Sequence, residues 1–284
     1  VPLGLRILVC VWMTATITGA GIAQAQAPQG AIVGWGDNTY DQTNVPLPNM
    51  GFIAVAAGQQ HSLGLKADGS IVAWGRNLYG LANVPAPNAD FIAIAAGDYH
   101  SLGLKSDGSI VAWGYQTYVP APNTGFIAVA GGGAHSLGLK ADGSIVAWGL
   151  NLEGQTNVPA PNTGFIAVAA GVYHCLGLNA DGSIVTWGYN GASLTNVPVP
   201  NTGFIAVAGG WQYSLGLKAN GAIVAWGTHF HGETNVPVPN SDFIAIAAGW
   251  HHGLAIRGVG VTGACCDTNG ADQGCRDDVL QFHC

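Results

Sequence analysis

Histidine is the side chain here with the most obvious chemical potential, and its placements fall into two kinds. His61, His100, His135, His174 and His252 recur at one position of a repeating segment, with Tyr213 in the remaining copy. Imidazoles placed this way could ring a channel mouth, holding a metal or serving as bases. A residue required in every copy is instead expected to make the same inter-strand hydrogen bond each time, because a functional site rarely needs five copies. His229 and His231, with His251 as a candidate neighbour, are different, since other repeats lack them. At alternate strand positions two of them would point to one side and could share an ion, but no third ligand lies within sequence reach. No metal or other cofactor is therefore expected.

Other catalytic signatures are sparse. The chain has no Gly-x-Ser-x-Gly elbow, no His-Glu-x-x-His pair and no Walker loop. Asp98, Glu153 and Glu233 lie in candidate loops and could supply the paired carboxylates of a polysaccharide hydrolase. Each also serves as an ordinary solubilising charge, and a non-enzyme is the reading adopted. Cys265, Cys266, Cys275 and Cys284 crowd into the C-terminal end. In an exported chain they predict a disulfide staple with three alternative pairings. The adjacent Cys265-Cys266 departs from the spaced pairs of structural zinc sites. Cys175 stands where Ser62, Ser101 and Ser136 stand in other copies, which predicts a buried free thiol.

The elements that hold these residues come from a repeat. Phe52-Ile-Ala-Val-Ala-Ala-Gly58 returns at Phe91, Phe126, Phe165, Phe204 and Phe243, at spacings of 39, 35, 39, 39 and 39 residues. A second landmark, Ile-Val-x-Trp-Gly, places Trp35, Trp74, Trp113, Trp148, Trp187 and Trp226. Each unit holds three strand signals. Phe52–Gly58 is apolar on both alternating faces, predicting a strand covered on both sides near a crowded axis. His61–Lys66 leads into Asp68-Gly69, a hairpin pair expected to take positive φ at both positions. Ile71–Gly75 carries the indole of Trp74 into the broader outer gap.

Such units can close into a propeller or stack into a solenoid. The ends favour the propeller. Ala31–Gly36 is a third strand with no first or second before it, and Phe243–Ile256 is a first and second with no third after it. Joined, they would complete one sheet and remove two exposed edges. The expectation is an all-β, closed β-propeller of six blades, with three to four short antiparallel strands per blade.

Of the 284 residues only 8% are charged, 44 are Gly, and 8 basic residues face 15 acidic ones for a net charge of −7. No basic patch can neutralise phosphates, so nucleic acid is not an expected partner. Arg6, the apolar stretch Ile7–Ile17 and Ala23-Gln24-Ala25 form the pattern of a secretory signal, too short to span a bilayer. The expected division is a signal peptide over 1–25 cleaved near Ala25, a propeller over 26–257 and a cysteine-rich tail over 258–284. A secreted, cell-surface or periplasmic monomer without a membrane span follows.

His61-Ser-Leu-Gly-Leu-Lys-Ala-Asp-Gly-Ser-Ile-Val-Ala-Trp-Gly75 resembles the repeat of the regulator of chromosome condensation family. The short period, and Gly154-Gln-Thr-Asn-Val-Pro159 after Trp-Gly, are similar to the bacterial branch that includes a secreted β-lactamase inhibitor protein with three-stranded blades. The resemblance implies a propeller, for which seven blades is the alternative count because members are usually seven-bladed. The family's nuclear exchange factors act on a small GTPase and chromatin, a setting from which an exported acidic chain departs.

Strand direction then sorts the loops. The turn after each first strand and the loop after each third strand share an upper face, and the Asp-Gly turns share the lower one. The upper loops vary among repeats and are rich in aromatics. The candidate binding residues are Gln60, Tyr79, Tyr99, Tyr115, Tyr173, Tyr189, Trp211, Phe230, Trp250 and His251. Rigidly held Tyr and Trp give contact area at low entropic cost, as in recognition surfaces. The expected function is an exported binding scaffold for a protein partner. Glycan binding by stacking on these rings is the alternative, and a guanine-nucleotide exchange factor ranks last.

Overall fold

The computed structural model describes residues 31–34, 38–115, 117–228 and 230–257. The signal region 1–25, Trp35, His229 and the tail from 258 onward, with Cys265, Cys266, Cys275 and Cys284, lie outside the described residues.

The strands form five three-stranded antiparallel sheets and one two-stranded sheet, each built from consecutive strands. The first sheet is β1 (Phe52–Ala57), β2 (His61–Lys66) and β3 (Ile71–Gly75), and the second is β4 (Phe91–Ala96), β5 (His100–Lys105) and β6 (Ile110–Gly114). The third is β7 (Phe126–Gly131), β8 (His135–Lys140) and β9 (Ile145–Gly149), and the fourth is β10 (Phe165–Ala170), β11 (His174–Asn179) and β12 (Ile184–Gly188). The fifth is β13 (Phe204–Gly209), β14 (Tyr213–Lys218) and β15 (Ile223–Gly227), and the last pair is β16 (Phe243–Ala248) and β17 (Gly253–Arg257). First strands of successive sheets touch one another, as do each second strand and the next first strand. The small Ala and Gly side chains of the first strands permit that convergence.

The core lies between sheets. Leu63, Leu65 and Ile71 of the first sheet pack with Phe91 and Trp113 of the second, and Leu102, Leu104, Ile110, Phe126 and Trp148 repeat the pattern one step on. Fully burying each such leucine contributes roughly 1.5–3 kcal/mol. The second strand carries glycine at its centre because Phe lies over it: a Cβ on Gly103 would sit 2.5 Å from the Phe91 ring. The indole wedge also ties units together, as Trp113 Nε1 donates to the Leu81 carbonyl of the preceding loop at 2.8 Å.

Two local expectations are corrected. Each first strand bulges after its phenylalanine, so the register runs Phe91↔Lys105 and then Ala93↔Leu104. The bulge turns the next isoleucine outward, leaving Ile92 50% and Ile244 64% exposed where cover on both sides was expected. In the Asp-Gly turn only glycine takes positive φ, as at Gly69 with φ 79°. Asp68 does not share the positive φ and accepts hydrogen bonds from the Ser70 N–H at 2.9 Å and the Ser70 hydroxyl at 2.6 Å. This is the longer turn-and-bulge hairpin, in which glycine, lacking a Cβ, takes the left-handed position without a clash.

A bond not anticipated from sequence fixes the lower loops. The Pro-Asn asparagine of each connection accepts the N–H of the isoleucine starting the third strand and returns its amide to that residue's carbonyl. Asn88 does this with Ile71 at 2.7 and 2.8 Å, and Asn49 does it with Ile32 at 2.8 and 2.7 Å. Ile32 is thus held as the start of a third strand, although residues 31–34 are not in strand conformation and β17 has no third partner among the described residues.

Candidate functional site

The recurrent histidines are structural, and their bond crosses from one sheet to the next. Nε2 of His61 meets Ser101 Oγ at 2.9 Å, His100 meets Ser136 at 2.8 Å, His135 meets Cys175 Sγ at 3.1 Å and His174 meets Ser214 at 2.7 Å. Burial holds the imidazoles neutral, lowering His61, His100 and His174 from 6.5 to about 4 and His135 to about 3. Cys175 is a free, buried thiol whose pKa burial raises, as its position among serines predicted. At the fifth sheet Tyr213 replaces histidine, and its hydroxyl donates to the His252 carbonyl. His252 itself is exposed.

The turns after the first strands form an inner group. Asp98 N–H donates to the Gly133 carbonyl at 3.3 Å, Gly133 N–H to Val172 at 3.2 Å, and Val172 N–H to Gly210 at 3.2 Å. Trp250, in the β16–β17 turn, reaches back over this group and donates from Nε1 to Asp98 Oδ1 at 3.1 Å. The chain therefore curves enough to bring its last turn onto the second unit. Asp98 is buried there; desolvation raises its pKa from 3.8 to about 6, partly opposed by the Trp250 bond.

Outside this group the predicted aromatics gather into separate pairs. Tyr79 and Tyr115 lie 5.2 Å apart in adjacent units, and Tyr173 and Tyr189 meet edge to face at 6.2 Å. Trp211 and Trp250 stack at 5.9 Å with planes 8° apart, and His251 sets its edge against Trp211 at 5.0 Å. Gln60 is engaged differently, accepting from Arg76, whose guanidinium covers the Tyr40 ring at 4.7 Å. Tyr99 and Phe230 are exposed and join no ring pair among the described residues.

Of the three candidate carboxylates, two serve one turn. Asp98 takes Trp250, and Glu233 Oε1 lies 3.6 Å from His251 Nδ1. Glu153 stays in its own loop, its N–H donating to Gln155 Oε1 at 2.9 Å. Desolvation pushes the Glu233 pKa up, but bonds from the backbone N–H groups of Glu233 and His231 outweigh it and hold the pKa below the ordinary value. His231, Glu233 and His251 bring three donor atoms within 4.8 Å of one another. Glu233 is the third ligand that the histidine spacing alone did not reveal. Its signal was the close pair His231-Gly232-Glu233, read as loop charge.

The repeat profile described as "Regulator of chromosome condensation (RCC1) repeat" matches residues 52–81, 91–118, 126–155 and 165–192. Four of its units are RCC1-type repeats. Among solved RCC1-type structures it is similar to Prp20 of Saccharomyces cerevisiae, at 20% identity over 72% of this chain and 69% of that one, with a TM-score of 0.62. It is also similar to the CRINKLY ectodomain of the Arabidopsis thaliana receptor kinase ACR4, at 25% identity over 76% and 80% of the two chains, TM-score 0.63. The ectodomain of the Physcomitrella patens receptor kinase CR4 follows at 27% identity, 70% and 56% coverage, TM-score 0.58. No curated protein matches. The sheets of this RCC1-repeat chain are thus propeller blades, and no helix among the described residues is long and apolar enough to cross a membrane.

Proposed function

We propose that this RCC1-repeat propeller is an exported, non-catalytic scaffold that docks a protein partner on its upper face. The observation that carries the reading is the set of aromatic pairs Tyr79–Tyr115, Tyr173–Tyr189 and Trp211–Trp250, all borne on upper loops. Aromatic anchors held by a rigid sheet frame are what interface hot spots require. Protein binding is also in keeping with the relatives, since yeast Prp20 is described bound to Kap60 and for its binding to Gsp1p and histones. Export is supported by the Arg6 to Ala25 pattern alone. In the test, Tyr79→Ala, Tyr115→Ala and Tyr173→Ala are combined, leaving the buried seams untouched. The intact chain should retain a partner from the native medium, identified by mass spectrometry, and the triple variant should lose it while keeping its circular dichroism. Equal capture by both overturns the reading, and binding confined to a glycan array transfers it to carbohydrate.

The same reading takes the blades as a six-membered ring closed between residues 31–34 and β17. Its support is Ile32, clasped by Asn49 as Ile71 is by Asn88, with its Cδ1 against the Gly64 site as Ile71 Cδ1 stands against Gly103. By the register Gly64↔Val72, the partner of Ala255 is Val33. Val33→Cys with Ala255→Cys should cross-link within one chain. A cross-link found only between chains would sink the ring.

A further inference from the structure

Glu233 is the odd member of a set. Gln42, Leu81, Gln155, Leu194 and Glu233 all stand seven positions after the tryptophan of Ile-Val-x-Trp-Gly. The first four offer their carbonyls to the indoles of Trp74, Trp113, Trp187 and Trp226. The glutamines also accept, through Oε1, the N–H two residues earlier: Tyr40 to Gln42 at 2.8 Å and Glu153 to Gln155 at 2.9 Å. Glu233 keeps that bond, taking the His231 N–H on Oε2 at 2.9 Å. What changes is the second atom. Where Gln155 holds a buried amide nitrogen without a partner, Glu233 holds a second carboxylate oxygen aimed at His251.

A side chain only 3% exposed thus carries a negative charge at a place where sister units bury Leu or Gln. The His231 N–H holds one oxygen of this charge, and the other faces His251, where a cation would be stabilised in turn. His251 and His231 stand beside it, their rings 4.7 Å apart, and both are open to solvent. Trp211 closes one side.

We propose that His231, Glu233 and His251 form a binding site for a divalent transition-metal ion, with Zn²⁺ the best match to the donors. Two imidazoles and a carboxylate are the protein ligands of open zinc sites, which leave a position for water or a partner's side chain. Donors at about 2.0 Å from one ion lie roughly 3.3 Å apart, so the present spread of 4.8 Å closes by small rotations of the two exposed histidines. The ion would pin the loop after β15 to the β16–β17 turn.

The test titrates the purified full chain with Co²⁺ at neutral pH, reads its visible absorption, and then displaces it with Zn²⁺. One ion should bind per chain, and added Zn²⁺ should displace the Co²⁺ spectrum. Glu233→Gln restores the residue found at Gln42 and Gln155, and His251→Gln the residue at Gln60 and Gln212, so both should fold. Each should weaken binding on the order of 100-fold or more, beyond the 10–100-fold typical of losing an outer-shell partner. Glu153→Gln should change nothing. The proposal is overturned if the intact chain gives no Co²⁺ spectrum, or if Glu233→Gln binds as tightly. A spectrum with sulfur-to-metal charge transfer that Glu233→Gln leaves unmoved would also overturn it, by assigning the ion to cysteine.

Discussion

The second sheet and the sixth differ little in strand sequence yet behave differently. His100-Ser-Leu-Gly-Leu and His252-Gly-Leu-Ala-Ile occupy the same unit position. His100 is buried against Ser136 and neutral, whereas His252 is exposed and its strand has no third partner among the described residues. The difference teaches that a repeat residue takes its role from the next blade as much as from its own. It also explains where function can enter. The interior seams repeat one bonding pattern with small variations, His135 on Cys175 and Tyr213 in place of histidine, while the sixth unit departs from the repeat with Trp250, His251, His231 and Glu233.

Acid should break the interior seams first. Four buried histidines are depressed from 6.5 toward about 4, or about 3 for His135. The unfolded chain then binds more protons in that window, so their stabilisation is present above 6.5 and lost as pH falls. The slope is about 1.4 kcal/mol per pH unit for each. Summed over the four, the loss is comparable with an ordinary domain's whole stability, so stability is expected to fall steeply as pH drops below 6.5. Asp98, raised to about 6, acts in the opposite sense: its contribution is complete below 3.8 and is lost as pH rises through 6. Denaturant midpoints measured from pH 7.5 to 4 check the sign, and a flat profile contradicts it.

Removing an interior wedge comes next. Trp187→Ala vacates a packed seam and leaves the Gln155 carbonyl without its indole donor, at a cost of about 3–5 kcal/mol in urea unfolding. The comparison is sharpest at the paired histidines. His100→Ala should cost about 1–3 kcal/mol because Ser136 is left buried without its partner. His252→Ala, being exposed, should stay within about 0.5 kcal/mol. The smallest effect is expected from Cys175→Ser, which restores the hydroxyl that Ser101 and Ser136 supply to the other histidines. A shift below about 1 kcal/mol, with loss of all reactivity toward thiol reagents in the denatured repeat region, would fit that equivalence.

Much of the frame was legible before any coordinates. The strands His61–Lys66 and Ile71–Gly75 and a structural role for the repeated histidines followed from periodicity and repetition, but an inter-strand bond was expected where the bond crosses to the next sheet. The bulge after Phe91 was not, because alternation in an all-apolar strand carries no mark of a register shift. Nor was the Asn88 clasp, since asparagine in a Pro-Asn connection reads as an ordinary turn residue. Which of the aromatic candidates meet one another was hidden. Tyr79 meets Tyr115 and Trp211 meets Trp250 across unit boundaries, whereas Tyr99 and Phe230 find no ring.

Residues near one another along the chain settle their own geometry through turns, pleat and hydrogen-bonded neighbours. For that reason strand limits, hairpins and the repeating unit were already present in the order of amino acids. Burial and charge pairing arise between units, from atoms some forty to one hundred and fifty positions apart, as with His61 and Ser101 or Trp250 and Asp98. Only packing of the blades could set Glu233 beneath two histidines, because no local rule distinguishes its carboxylate from any other loop charge.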